Sequence, residues 1–494
     1  MQPLFVFRGR TADGKRPFLF DNASPANDTI VYSGTSRFFI MSSSDSSSDN
    51  SNLVELAKQY SVDSSFSSDD SHEYGSIRLT NDETRDGIML EGVGERTPQM
   101  TRTEMGQIAV NIVVSFVGAG LLGIPHAFLR AGWLLGSLTL CATSALNLYA
   151  LLLLPKVRKR LQEQGLQCNS YGQMGLLLLG ERGEVVVNVC LVLSQTGFAT
   201  AYLIFIADSL YRMKRWKVVF GCVPGLALLV QAQDMSHLSP FSLLANCSNL
   251  LGLSAVLFQD WIQLEDHSWV DRNTEDDTVR AFQFGGLLFV VAVTLYSMEG
   301  VGLILSLESS CRNRAQFPSL LKTVVGGITI FMALFGSAGY WAFRSDTMAP
   351  ITLNLGHSRA ASLVQGALCV ALYFTYPIMM FPVWNIAENR ILELRPEQTC
   401  SRGLLRASIV LATAIVAFAV PDFGEYLSLV GSSICTILGF LFPAYFHLKV
   451  FGSELAVAQS LLSRALIVGG TLFAVIGTFQ SMSNMITNST GDNS

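Results

Sequence analysis

Gly118-Ala119-Gly120-Leu121-Leu122 and Gly300-Val301-Gly302-Leu303-Ile304 read almost alike, and each interrupts an apolar, membrane-length run in its own half of the 494-residue chain. Glycine costs about 1 kcal/mol against alanine in a helix interior and frees the backbone for non-helical angles. In lipid, such a break is tolerated only where the released N–H and C=O groups face protein, water or a ligand. Breaks at matching places in two halves of a membrane protein point to a transporter's substrate site. The pairing outweighs the simpler reading of either run as small-residue helix packing.

Composition agrees. Half the residues are hydrophobic and 14% are charged, too few charges for an ordinary soluble protein. The net charge of −5 belongs to the amino-terminal tail, where residues 1–100 hold fifteen acidic and nine basic side chains. The remainder is near neutral, and no basic surface points to nucleic acid. The nine cysteines are odd in number and form no CxxC pair, which argues against a disulfide framework, a zinc site or any other metal centre.

The tail, residues 1–100, contains Ser42-Ser43-Ser44-Asp45-Ser46-Ser47-Ser48 and Asp63-Ser64-Ser65-Phe66-Ser67-Ser68-Asp69-Asp70, a composition expected to stay disordered. Its start lacks the apolar stretch of a secretory signal, so it is expected in the cytosol, where it could recruit cytosolic partners. Residues 101–482 form the transmembrane domain, and 483–494 a short outer or lumenal tail. About eleven spans are expected near 105–130, 132–154, 183–210, 218–232, 240–260, 282–305, 320–343, 360–386, 404–420, 425–448 and 461–480. Lys156, Arg158, Lys159 and Arg160, then Arg312 and Arg314, then Arg390, Arg395 and Arg402 fall on the cytosolic side if the amino terminus is inside. The acidic residues of 265–277 then face outward or into a lumen. Arg212, Lys214, Arg215 and Lys217 break the rule. Asn488-Ser489-Thr490 is a glycosylation sequon close to the last span.

Three glycines and Pro125 should unwind span one near mid-membrane, exposing carbonyls at one half-helix end and N–H groups at the other. Carbonyls suit an ammonium and N–H groups a carboxylate, and an amino acid carries both. In span six, Glu299 stands as the one acidic residue deep inside an expected span. It either carries a coupling proton or braces the broken helix, with direct contact to a substrate amine a weaker third role. Tyr202 with Gln195 and Thr196 in span three, and Tyr373, Thr375 and Tyr376 in span eight, add polar groups that could equally hydrogen-bond between helices. His126 is a titratable or a purely structural imidazole. A P-loop, HExxH and GxSxG are all missing from the sequence, so neither an ATP-driven pump nor a membrane hydrolase is supported, and the chain is read as no enzyme.

The chain resembles the amino acid/auxin permease family, near its proton-coupled and vacuolar branches. The resemblance rests on Gly118-Ala119-Gly120-Leu121-Leu122-Gly123-Ile124-Pro125-His126-Ala127-Phe128, on Leu238-Ser239-Pro240-Phe241-Ser242-Leu243-Leu244-Ala245-Asn246, and on Leu295-Tyr296-Ser297-Met298-Glu299-Gly300. Tyr376-Pro377, Val430-Gly431-Ser432 and Phe442-Pro443 extend it across residues 100–480. It implies an all-α, LeuT-type architecture of five plus five inverted spans with an eleventh helix and with spans one and six broken. It also implies secondary active transport of amino acids driven by a proton gradient, with sodium less favoured and no bound cofactor.

The implied substrate site comprises Ser115, Gly118, Ala119, Gly120, Leu121, Tyr202, Tyr296, Ser297, Gly300, Gly302 and Tyr373, with Glu299 as coupling or bracing carboxylate and Thr375 as candidate cation ligand. Ser306-Leu307-Glu308-Ser309 departs from the family's Pro-Leu-Glu-Asn. The expected substrate is a small neutral amino acid, moved by alternating access across a vacuolar or lysosomal membrane in preference to the plasma membrane. Auxin or polyamine transport on the same fold, and a transport-inactive amino-acid sensor, are the alternatives.

Overall fold

The computed structural model describes residues 29–33, 37–41 and 102–491, except 117, 211–212, 232–238, 266–278, 312, 357–358, 389–398 and 421. The serine-rich and acidic stretches of the tail, the acidic residues 266–277, and Arg212, Arg312, Arg390 and Arg395 lie outside the described residues. The chain divides into two units, residues 1–99 and 100–494. In the first, β1 (Thr29–Ser33) pairs antiparallel with β2 (Arg37–Met41), Val31 opposite Phe39. This hairpin of β-branched and aromatic residues falls inside the stretch expected to lack structure, and two strands alone are marginally stable in water.

The second unit is helical. Its elements are α1 (Arg102–Phe116), α2 (Ile124–Ala131), α3 (Trp133–Glu163), α4 (Tyr171–Leu179), α5 (Glu181–Ser209), α6 (Arg215–Leu229), α7 (Ser239–Glu265) and α8 (Leu287–Ser297). They continue with α9 (Val301–Ser309), α10 (Phe317–Phe343), α11 (Arg359–Ile386), α12 (Thr399–Ala419), α13 (Phe423–Val430), α14 (Phe442–Phe451) and α15 (Val457–Gly491). Among the described residues, eight helices are long and apolar enough to cross a bilayer, and the bent pair α1–α2 makes nine. A helix is nevertheless present at each of the eleven expected spans. At 15 residues, α6 is about 22 Å long, short of a ~30 Å hydrocarbon core.

Local chemistry sets the ends. Pro125 occupies the first turn of α2, where its missing N–H costs nothing. Ser170 caps α4 by accepting the Gln173 N–H, and Asp422 caps α13 by accepting that of Glu425. Between α13 and α14 the helix widens into two π turns, Gly431–Cys435 and Ile437–Leu441. α15 carries an outward apolar face that includes Leu461, Val468, Leu472, Val475 and Phe479, suited to lipid.

Two features differ from the sequence reading. α15 continues to Gly491, through residues where a terminal tail was expected to begin at 483. Asn484 and Asn488 hold this extension by donating to Glu425 and Asp422, which places the sequon asparagine in a helix. Arg215, one of the cations breaking the charge rule, is not spent on solvent. Its guanidinium reaches Asp208 at 2.6 Å and the carbonyls of Ala417 and Val420 at 2.8 and 2.6 Å. It thereby caps the orphan carbonyls of α12.

Candidate functional site

α1 stops at Phe116, Gly118 is extended (φ −124°, ψ −161°), and Ala119–Gly123 make a 3₁₀ turn before α2 restarts at an angle of 49°. α8 stops at Ser297 and α9 restarts at Val301, although Phe284–Ser309 still runs as one 26-residue span. The two interruptions touch. A Cβ on Gly120 would lie 2.5 Å from Ser297 Oγ and 2.7 Å from the Tyr296 ring, and one on Gly300 would lie 2.6 Å from the Phe116 ring. No side chain fits at either position without displacing the opposing helix.

The freed backbone groups find partners. Asn147 on α3 donates its amide to the Met298 carbonyl at 2.8 Å. Glu299 stands two residues before Val301, the first residue of α9, at the positive end of that helix. Gly300 O accepts from Leu303 and Ile304 N–H at 3.0 and 3.2 Å.

Of the residues singled out in the sequence, the structure brings together Gly118, Ala119, Gly120, Leu121, Tyr202, Tyr296, Ser297, Glu299 and Gly300. Tyr202 Oη lies 3.9 Å from where a Gly118 Cβ would be, with space otherwise open around that position. Tyr296 stacks edge-on with Phe198 at 4.7 Å, and its buried hydroxyl has no hydrogen-bond partner among the described residues. A buried hydroxyl left without a partner costs about 1–3 kcal/mol.

Other hydroxyls are already engaged. Ser115 donates to Asn111 O, Ser297 to Val293 O and Thr375 to Ala371 O, at 2.7, 2.8 and 2.8 Å, all within their own helices. Gly302 faces Leu191 on α5. Tyr373 points its hydroxyl at Gly225 of α6, and Tyr376 bonds Thr413 of α12 at 2.6 Å. These two are helix-packing tyrosines.

Both ends of the broken pair are fastened by groups that the sequence reading did not single out as a site. At one end Arg130 of α2 pairs with Glu425 of α13, lies over the Phe289 ring at 4.1 Å, and donates to His126 Nε2 at 3.2 Å. His126 Nδ1 in turn meets Thr347 O at 2.9 Å, so this imidazole is held on both nitrogens. At the opposite end Arg158 of α3, 2% exposed, donates to Leu305 O, Glu308 Oε2 and Ser309 Oγ at 2.9, 3.2 and 3.0 Å. Two further acidic residues, at the ends of their expected spans, are buried as well: Asp260 and Glu425 are each 1% exposed. Asp260 was missed because the expected span ends on it, whereas α7 runs to Glu265.

Residues 101–487 match the family model described as "Transmembrane amino acid transporter protein". Amino acid transporter AVT3C of Arabidopsis thaliana is 36% identical over 409 residues, covering 76% of this chain and 89% of that protein. Amino acid transporter ANT1 of the same plant is 35% identical, covering 77% and 93%. Vacuolar amino acid transporter 3 of Saccharomyces cerevisiae is 25% identical, covering 75% of this chain and 55% of its own length. Among solved structures, MhsT in complex with L-phenylalanine aligns at TM-score 0.46 and 13% identity, covering 78% and 99%. With helices interrupted at its first and sixth segments and a family match spanning the whole helical unit, the chain belongs to the transmembrane amino acid transporter family.

Proposed function

We propose that this protein is a proton-coupled secondary transporter of small neutral amino acids, working by alternating access in a vacuolar-type membrane with its amino terminus in the cytosol. The observation that carries the reading is the touching pair of interrupted helices, with only Tyr202 Oη within 4 Å of a Gly118 Cβ and, among the described residues, no partner for the buried Tyr296 hydroxyl. Carbonyls at the end of α1 suit an ammonium, and N–H groups at the start of the 3₁₀ turn suit a carboxylate. The groups converging here, apart from Glu299, are uncharged, which matches a zwitterion without a charged side chain. The Arg130–Glu425 and Arg158–Glu308 pairs close opposite ends of the same helices, and alternating access requires them to open in turn. Substrate and lipid are the partners of the helical unit, and cytosolic partners of the tail remain a proposal.

Uptake of labelled amino acids into proteoliposomes with an imposed pH gradient tests the reading. Accumulation that follows the gradient and is competed by small neutral amino acids supports it; uptake indifferent to pH removes proton coupling, and binding without uptake makes the chain a sensor. Tyr296→Phe tests the site itself. Removing an unpaired hydroxyl should leave thermal stability unchanged or slightly higher while weakening substrate affinity by about 0.5–1.5 kcal/mol, a few-fold to tenfold in Kd. Equal affinity in a binding titration would place the substrate elsewhere.

Glu299 is assigned the bracing role, because it stands directly before α9, where a carboxylate meets the positive end of the restarted helix. Glu299→Gln keeps an acceptor and should retain pH-dependent uptake at reduced protein yield. If pH dependence vanishes at normal yield, Glu299 carries the proton.

A further inference from the structure

We propose that Asp260 is a proton-binding site, a buried carboxyl loaded and unloaded through the pocket at the Trp133 end of the bundle. Asp260 on α7 is 1% exposed, and neither of its carboxylate oxygens has a hydrogen-bond partner among the described residues. Its placement is a matter of helix face: Phe258 and Trp261, two and one residues away, are 65% and 62% exposed. The aromatic pair looks outward and the carboxyl looks in.

α7 packs against α10, α11 and the 3₁₀ segment Ile351–Leu355. The charged and titratable groups at this level are Glu265 on α7 itself, Tyr340 and Arg344 at the end of α10, and Arg359 at the start of α11. Tyr340 accepts from the Arg280 N–H at 3.1 Å, and none of the four hydrogen-bonds Asp260. Ile351–Leu355 brings no charge, only the hydroxyl of Thr352, itself buried and without a partner.

An ionised carboxylate moved into a dry interior is strongly disfavoured unless it is paired. With no hydrogen-bond partner on either oxygen among the described residues, a bound proton makes this position tenable, and it needs none of the surrounding oxygen ligands a metal ion demands. Access is at hand. A pocket of about 430 Å³, lined by Trp133, Leu264, Val279, Trp341 and Arg344, reaches Leu264, one helical turn from Asp260 on the same face of α7. The chemistry is a simple protonation: a carboxylate oxygen takes H⁺ from water in the pocket and later returns it. This deepens the proton-coupled reading above and rests on it for the role in transport, while proton binding is measurable by itself.

The test uses full-length protein reconstituted in lipid. In infrared difference spectra taken as pH rises, wild type should lose the C=O stretch of a protonated carboxyl, Asp260→Asn should lack that change, and Asp260→Glu should show it at a shifted position. In liposomes with a pH gradient, Asp260→Asn should lose gradient-driven amino-acid accumulation and keep counterflow exchange. An unaltered infrared change in Asp260→Asn overturns the assignment, and wild-type accumulation by that variant overturns the role of Asp260 in coupling. If wild type ignores the gradient but its infrared change disappears in Asp260→Asn, the coupling reading fails and the proton site stands. Should Asp260→Asn not fold, Asp260→Glu decides, and a titrating band that the longer side chain leaves unmoved overturns the proposal.

Discussion

Gly118→Leu is expected to abolish amino-acid uptake while expression and melting temperature in detergent stay at the wild-type level. Gly118 is extended at negative φ, which any residue can adopt, and its nearest neighbour to an added Cβ is Tyr202 Oη at 3.9 Å. A Cβ there makes only ordinary contact, and a leucine occupies the space beside Tyr202. Gly120→Ala, two residues on, should behave in the opposite way. Its Cβ would press on Ser297 at 2.5 Å and on the Tyr296 ring at 2.7 Å, an overpacking that costs about 1–3 kcal/mol and lowers the melting temperature. The contrast separates a substrate space from a packing contact within one turn of chain. Normal uptake by Gly118→Leu would show that the space beside Tyr202 is not where cargo sits.

Arg158→Ala should produce the largest loss of stability of any single change considered. The side chain is 2% exposed and serves three acceptors on α9, so truncation leaves Glu308 charged and buried, a penalty of about 3–5 kcal/mol. All three bonds run through Nη1, so Arg158→Lys keeps a charged donor nitrogen but on a shorter stem, and should recover part of the loss. A double change, Arg158→Met with Glu308→Gln, removes the stranded charge and should melt above Arg158→Ala. Thermal unfolding of the three variants in one detergent checks the order. If Arg158→Ala melts with wild type, the clamp contributes nothing. Ser306-Leu307-Glu308-Ser309 supplies two of these acceptors, so the departure from the family's motif keeps its acidic centre in use.

The helical layout and both interruptions were legible in the sequence because they depend on local rules: apolar run length, glycine's freedom and proline's missing N–H. What was not legible depends on facing. Asn147 is a lone amide in the apolar run of α3, and nothing in its neighbours says that it reaches the Met298 carbonyl. Tyr373 and Tyr202 have the same chemistry at similar depth, yet one meets Gly225 and the other the broken helix. Glu425 opens a helix and reads as an ordinary first-turn acid, but it is the counter-charge of Arg130, 295 residues earlier. Asp260 was hidden by a span boundary set too early, and the end of α15 by a polar stretch that satisfies itself on Glu425 and Asp422. In each case the missing information was which residue waits across the gap.

The cation that violated the charge-bias rule has a use that an acidic compartment cannot cancel. Arg215 grips two peptide oxygens, Ala417 and Val420, which have no proton to gain, and a guanidinium never sheds its own. Asp208 beside it can be neutralised by acid, yet two of the three bonds would survive. α6 and α12 are therefore riveted together by an acid-proof joint, while the fastening of Arg130 on Glu425 and His126 is left to answer to pH.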